Sequence, residues 1–275
     1  MTDLQYKKNG LKFNMKADVS KCSVIISGGT QGLGLAIAKN LAFQGCKKII
    51  LSGRDEKKGY KAAKEISSYN SKCLFIKSDV SKTKDCQNLF NKSLECFEDI
   101  NCLVNSAAIT TRGSIQDTSL ELWDDHMNTN LRGPFILMQS LVNYLIAKKR
   151  SGSIVNILSI SSYVGQSFLT AYCVSKGGLM TLTKNTANAL KKHKIRVNGI
   201  APGWMDTPGE DYIQKKFHNA KDGWLEEAES KQPFGKLGKP EEIAPIVTYL
   251  LSPNSGIITG SIIDYDQNIV GSLPE

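Results

Sequence analysis

The sequence predicts an α/β fold in a single domain spanning residues 1–275: a doubly wound parallel sheet with helices on both faces. Three observations predict it. Short apolar runs alternate with amphipathic stretches along the chain, as in repeated strand–helix–strand units. The runs are continuous in Val, Ile and Leu, with little alternation, the pattern of strands covered on both faces. No repeat, low-complexity tract or Pro/Gly/Ser linker divides the chain.

The predicted strands are residues 23–27, 48–52, 73–77, 101–105, 153–159, 196–200 and 261–265. The first four and the last are Val/Ile/Leu-rich, and the runs at 153–159 and 196–200 lead into Ser159 and into Pro202-Gly203. Helical patterns fall at 32–44, 55–69, 82–97, 120–149, 170–193 and 240–251. The stretch 204–239 breaks the rhythm, being polar and interrupted by Pro208, Pro233 and several glycines. Trp204, Phe217, Trp224 and Phe234 give it something to pack with, so an ordered lid is expected there.

Composition sets bounds. The chain is 41 % hydrophobic and 22 % charged, which suits a globular protein and excludes a disordered or collagen-like one. Apolar runs such as 135–138 and 145–147 are far shorter than the roughly 20 residues that cross a bilayer. The N-terminal residues 1–20 are polar and Lys-rich and do not read as a secretory signal. The net charge of +9 is scattered as Lys57-Lys58, Lys148-Lys149 and Lys191-Lys192, without interleaved aromatics, so no nucleic-acid platform is expected. Seven cysteines without Cys-x-x-Cys spacing point to free thiols, a reducing cytoplasmic setting and no zinc site. His126, His193 and His218 are too dispersed for a metal set and read as surface or helix-end residues. Glu226, Glu227 and Glu229 read as a solvated helix face.

The first strand ends in Ser27-Gly28-Gly29-Thr30-Gln31-Gly32-Leu33-Gly34 and runs straight into a helix. Gly28 permits a tight turn, Gly32 lets the backbone approach a pyrophosphate, and Gly34 seats the helix on the sheet. The helix N-terminus supplies free N–H groups and the positive end of its dipole. Gly28, Thr30, Gln31, Gly32, Leu33 and Gly34 are therefore candidate cofactor-binding residues. The spacing is not a P-loop, which needs Gly-Lys-Ser/Thr.

A second cluster is Tyr172-Cys173-Val174-Ser175-Lys176. Residues four apart on a helix share a face, so the phenol and the ammonium can address one point. A nearby ammonium, with the positive ring of an oxidised nicotinamide, favours the phenolate and is expected to lower a phenol pKa of about 10. Before the cluster, a buried strand delivers Ser159 at its C-terminal end; after it, another strand ends in Pro202-Gly203.

With Gly-x-x-x-Gly-x-Gly, Ser159, Tyr172, Lys176 and Pro202-Gly203 in this order, the chain resembles the short-chain dehydrogenase/reductase family from about residue 20 to about residue 266. The resemblance implies a Rossmann-like fold and hydride transfer between a nicotinamide cofactor and a secondary alcohol or ketone. It implies that Tyr172 is the general acid or base, that Ser159 hydrogen-bonds the substrate oxygen, and that Lys176 holds the nicotinamide ribose. Asn130, in Asn128-Thr129-Asn130-Leu131-Arg132-Gly133, matches the residue that fixes a relay water. Asp79-Val80 matches the adenine-contacting pair, Asn105 the start of a stretch beneath the cofactor, and Pro202, Gly203, Met205 and Thr207 the border of the carboxamide and pyrophosphate. Ser106, Ala108 and Leu158 depart from the family pattern, as does the ending Asp264-Tyr265-Asp266-Gln267-Asn268, which puts the usual subunit contact there in doubt.

At the end of the second strand stand Ser52-Gly53-Arg54. With Gly53 where an acid would grip a ribose hydroxyl, and Arg54 able to grip a 2′-phosphate, NADP is the expected cofactor, NAD the alternative. Polar lid residues, among them Glu210, Asp211, Gln214, His218 and Asn219, point to a sugar- or polyol-like small-molecule substrate. Apolar residues in 120–149 and 170–193 exceed what one sheet face needs, so a homodimer or homotetramer is expected. The competing reading is a non-catalytic NADP(H)-binding sensor or scaffold.

Overall fold

The computed structural model describes residues 17–272, and the reading of the first residues as lacking a secretory signal falls mostly on 1–16, outside the described residues. Strands β1 (Ser23–Ser27), β2 (Lys48–Gly53), β3 (Lys72–Lys77), β4 (Cys102–Asn105), β5 (Gly152–Ile157), β6 (Ile195–Pro202) and β7 (Ile262–Tyr265) make one sheet. Its order is β3-β2-β1-β4-β5-β6-β7, and every pairing is parallel. The predicted strands are all present, with ends that shift by one or two residues.

Helices α1 (Gly32–Phe43), α2 (Glu56–Ser67) and α9 (Pro240–Leu251) cover one face, packing Ile37, Leu41, Ile66 and Val247 onto Val24 and Ile26. Helices α3 (Thr83–Phe97), α5 (Gly133–Ala147) and α6 (Thr170–Leu190) cover the other, around Ile25, Leu103 and Ile154. Alternate residues of β1 thus enter opposite cores, which is why its sequence shows no polar face.

One predicted segment differs. The stretch read as one helix over 120–149 is α4 (Leu120–His126), a π-helical turn at Met127–Arg132, and α5. The widened turn follows from tertiary contacts that a 3.6-residue period does not encode. Gly133 follows it so closely packed on the loop after β3 that a Cβ there would stand 2.5 Å from the Val80 carbonyl oxygen. The irregular stretch 204–239 is ordered around α7 (Pro208–Phe217) and α8 (Trp224–Ser230). There Glu229 does not face solvent as a bare helix-face charge: it accepts from Lys239 Nζ at 2.7 Å and from the Leu237 N–H at 3.2 Å.

The order of connection reverses between β1 and β4, so the loops that leave their C-terminal ends part and open a crevice. Registers Ser27↔Asn105 and Asn105↔Asn156 bring the ends of β1, β4 and β5 level at its floor. No described helix is long and apolar enough to cross a membrane.

Candidate active site

The crevice is a cleft of about 540 Å³ that runs from Arg54 and Asp79 past the glycine turn to Ser159, Tyr172 and Lys176, and on to Glu210 of α7. The turn is built by absent side chains. Gly28 has φ +72°, and a Cβ on it would lie 2.7 Å from the Ala107 backbone. A Cβ on Gly34 would lie 2.2 Å from the Gly28 carbonyl oxygen, so α1 rests directly on the turn. Gly32 (φ +51°) is different: its open side has only Thr207, at 3.9 Å, so a Cβ there would fill the cradle itself. The N-cap residue Gln31 gives α1 no side-chain hydrogen bond, which leaves the first-turn N–H groups to an anion. These features fit a bound dinucleotide pyrophosphate.

At the far end, Arg54 meets Thr30, Gln31, Asp55 and Lys58 around a second hollow. Lys58 Nζ donates to Gln31 Oε1 at 3.0 Å, while Asp55 caps α2 by accepting from the Lys58 N–H at 3.0 Å. Lys58 escaped the sequence reading; its position one turn into α2, on the side of the cap, is the signal that could have found it.

Ser159 follows β5 in extended conformation and caps a short 3₁₀ turn by accepting from the Ser161 N–H at 3.1 Å. That bond occupies a lone pair and leaves the hydroxyl hydrogen free to point into the cleft. Tyr172 and Lys176 rise from the first two turns of α6. Lys176 is buried; its Nζ donates to the Ile157 carbonyl at 2.7 Å and stands 5.8 Å from the Tyr172 ring centroid.

Burial dominates the ionisation of both groups. It pushes the Tyr172 phenol up to about 12, with Cys173 and Glu210 adding to the rise and Ser159 and Arg112 opposing it. It brings Lys176 down to about 8. The lowered phenol expected from the sequence rests on the lysine together with the positive ring of an oxidised nicotinamide; among the chain's own groups burial wins. The cost of a desolvated phenolate outweighs the help that the chain's own groups provide.

Asn130 is fully buried behind the cleft instead of lining it. Its Oδ1 accepts from the Ile109 N–H at 2.9 Å, and its Nδ2 donates to the Ile109 carbonyl and to Ser175 Oγ, both at 3.0 Å. The side chain thereby clamps the loop after β4 to α6, next to Lys176. Asn105 is also placed below the floor, donating from Nδ2 to Asn156 Oδ1 at 2.8 Å, while the cleft surface above it belongs to Ser106, Ala107 and Ala108. The remaining sequence candidates, Leu33, Val80, Pro202, Gly203, Met205 and Thr207, line the cleft.

Asp125 and Thr129 line it too and were not anticipated, although their spacing of four on a helix places them on one face. His126, read as a surface or helix-end residue, ends α4 but is fully buried, with its ring edge-on to Tyr172 at 6.4 Å. Among the described residues no group of three His, Cys, Asp or Glu side chains is placed to hold a metal ion.

Comparison with known proteins agrees with this geometry. A family model described as enoyl-(acyl carrier protein) reductase matches residues 28–267. The NADP-dependent (R)-specific alcohol dehydrogenase of Lentilactobacillus kefiri is 34 % identical over 239 residues, covering 86 % of this chain and 92 % of that protein. The 3-oxoacyl-acyl-carrier-protein reductase FabG of Thermotoga maritima is 32 % identical over 247 residues, 90 % of this chain and 96 % of that one. The crystal structure of a short-chain type dehydrogenase/reductase from Mycobacterium marinum superposes with a TM-score of 0.84 at 26 % identity, over 93 % of this chain and 98 % of the other. The parallel sheet, the glycine cradle at its switch point and these relatives converge: the chain belongs to the short-chain dehydrogenase/reductase family, oxidoreductases that use a nicotinamide cofactor on CH–OH and C=O groups.

Proposed function

We propose that the cleft transfers hydride between NADP(H) and the carbon of a polar secondary alcohol or ketone, with Tyr172 handling the proton. The observation that carries this reading is that Ser159, Tyr172 and Lys176 line one cleft continuous with the Gly28–Gly34 cradle. The cofactor, when bound, supplies the hydride chemistry and, oxidised, a positive charge. The chain supplies the rest. Ser159 donates its free hydroxyl hydrogen to the substrate oxygen and steadies developing alkoxide charge. Tyr172 gives a proton to that oxygen in reduction and takes it in oxidation. Lys176 holds a positive charge behind the phenol and has reach for the ribose hydroxyls. Both amide hydrogens of Asn130 are already bonded, so a relay water at this position would rest on its main chain.

Several features support the finer points. Arg54 with Lys58 offers two cations to a 2′-phosphate, and Gln31 is bridged to Lys58. The Lentilactobacillus kefiri relative is an NADP-dependent enzyme. Gly209 and Glu210 of α7 border the cleft, and the α7–α8 segment is read as its lid, within one domain. Phe135 and Val174, on the outer faces of α5 and α6, are exposed, in keeping with pairing to a second copy. Free thiols at all seven cysteines suit the cytoplasm.

Tyr172→Phe tests the reading. It is expected to abolish NADPH-linked turnover of ketones while a fluorescence titration still shows wild-type NADPH binding. Retained turnover would overturn it.

A further inference from the structure

Glu210 is the one carboxylate of α7 that lines the cleft with Ser159 and Tyr172. Its side chain is only 17 % exposed. One oxygen, Oε1, receives every protein donor that reaches the group: Trp204 Nε1 at 2.9 Å, Gln214 Nε2 at 2.7 Å, and the Arg112 guanidinium at the longer distance of 3.9 Å. Among the described residues none donates to Oε2. The carboxylate is thus held in one orientation with a free acceptor beside the reaction site.

Arg112 stands behind it, spending donors on the Thr110 carbonyl at 3.0 Å and on His218 Nε2 at 3.2 Å. It does not line the cleft. Asp125 adds a second carboxylate to the lining of the same cleft, and the lining cation beside the phenol, Lys176, is committed to Ile157. An anionic substrate would meet the charge of Glu210, and a hydrocarbon chain would leave Oε2 unpaired and desolvated.

We infer that Glu210 is a specificity residue that accepts a hydrogen bond from a hydroxyl near the reacting carbon, and that the substrates are uncharged hydroxy-ketones or the matching diols. This rests on the hydride-transfer reading. Oε2 takes the substrate hydroxyl hydrogen while Ser159 and Tyr172 take the carbonyl oxygen, which fixes the ketone at two points.

The test uses three ketones of similar size with NADPH: hydroxyacetone, acetone and pyruvate. Wild-type kcat/KM is expected to be about tenfold higher for hydroxyacetone than for acetone, and lowest for pyruvate. Glu210→Gln keeps the shape and the bonds to Trp204 and Gln214 but puts an N–H₂ donor at the free position. It is expected to lower the hydroxyacetone-to-acetone ratio of kcat/KM about tenfold and to raise the pyruvate-to-acetone ratio. A uniform fall for all three ketones would mean a loosened α7 and overturn the assignment, as would a wild type without preference for hydroxyacetone. The two readings fail separately: ketone reduction that survives Tyr172→Phe sinks hydride transfer through this site, whereas loss of it with unchanged ketone preference in Glu210→Gln sinks only the role of Glu210.

Discussion

Arg54 and Lys58 show how two exposed cations acquire a purpose from their neighbours. Arg54 follows β2, where nothing acidic competes for a ribose hydroxyl, and Asp55 is turned to the cap of α2. Lys58 is drawn toward Gln31, across the same hollow. A guanidinium grips phosphate with two parallel hydrogen bonds, whereas an ammonium acts as a point charge. Arg54→Ala is therefore expected to weaken NADPH binding by about tenfold or more, and Lys58→Ala by less. NADH binding should stay unchanged in both. Titration of intrinsic fluorescence with each cofactor checks this, and equal losses for NADH would remove the 2′-phosphate from the account. Arg54 was legible in the sequence because it adjoins a strand end. Lys58 was not, since its use depends on how α2 leaves that strand.

The π-helical turn is the element on which the geometry behind the cleft depends. Periodicity named the helix but not the turn, because a widened turn is fixed by partners distant in sequence. Asn130 reaches back to Ile109 and forward to Ser175, spacings of 21 and 45 residues that no local pattern reveals. Asn130→Ala would leave the Ile109 N–H and carbonyl without those partners and is expected to cost about 3 kcal/mol, measured by urea unfolding. Turnover should fall further than cofactor affinity, since the clamp adjoins Lys176 and not the cradle. The run Leu131-Arg132-Gly133 after Asn130 is what singled the residue out in the sequence. Its burial became visible only once the loop after β4 and α6 closed on it, and that of Asn105 beneath Ser106–Ala108 only when strands β4 and β5 were set side by side. The α7–α8 stretch was legible as an ordered interruption, from its aromatics; the stacking of Trp204 on Trp224 at 6.3 Å is what the spacing could not give.

For the whole molecule, the fold was the most legible property, because parallel strands buried on both faces leave continuous apolar runs. The sheet order follows from right-handed crossovers that start at β1, step outward to β3, and return across β1 to β4. The proposed cofactor site lies where that path reverses, so the cradle, the floor and the side chains proposed for catalysis come from both halves of the sheet. Ligand binding there should tie the halves together. NADPH at about 100 times its dissociation constant adds about 2.7 kcal/mol, which for a chain of this size raises the melting temperature by about 5 °C. A thermal-shift assay is expected to show that rise for NADPH and a smaller one for NADH at the same concentration. No rise with either would speak against the cradle as a dinucleotide site.

In the free protein the Tyr172 phenol is held at about 12, too high to serve as a base near neutrality. The most direct measurement is the pH dependence of secondary-alcohol oxidation by the enzyme saturated with NADP, in wild type and in Tyr172→Phe. The rate should rise with pH to a plateau through one ionisation well below 12, brought down by the positive charges beside the phenol, and Tyr172→Phe should show no oxidation at any pH. Oxidation that persists in Tyr172→Phe within about tenfold, with the same pH profile, would contradict the assignment of the proton to this residue.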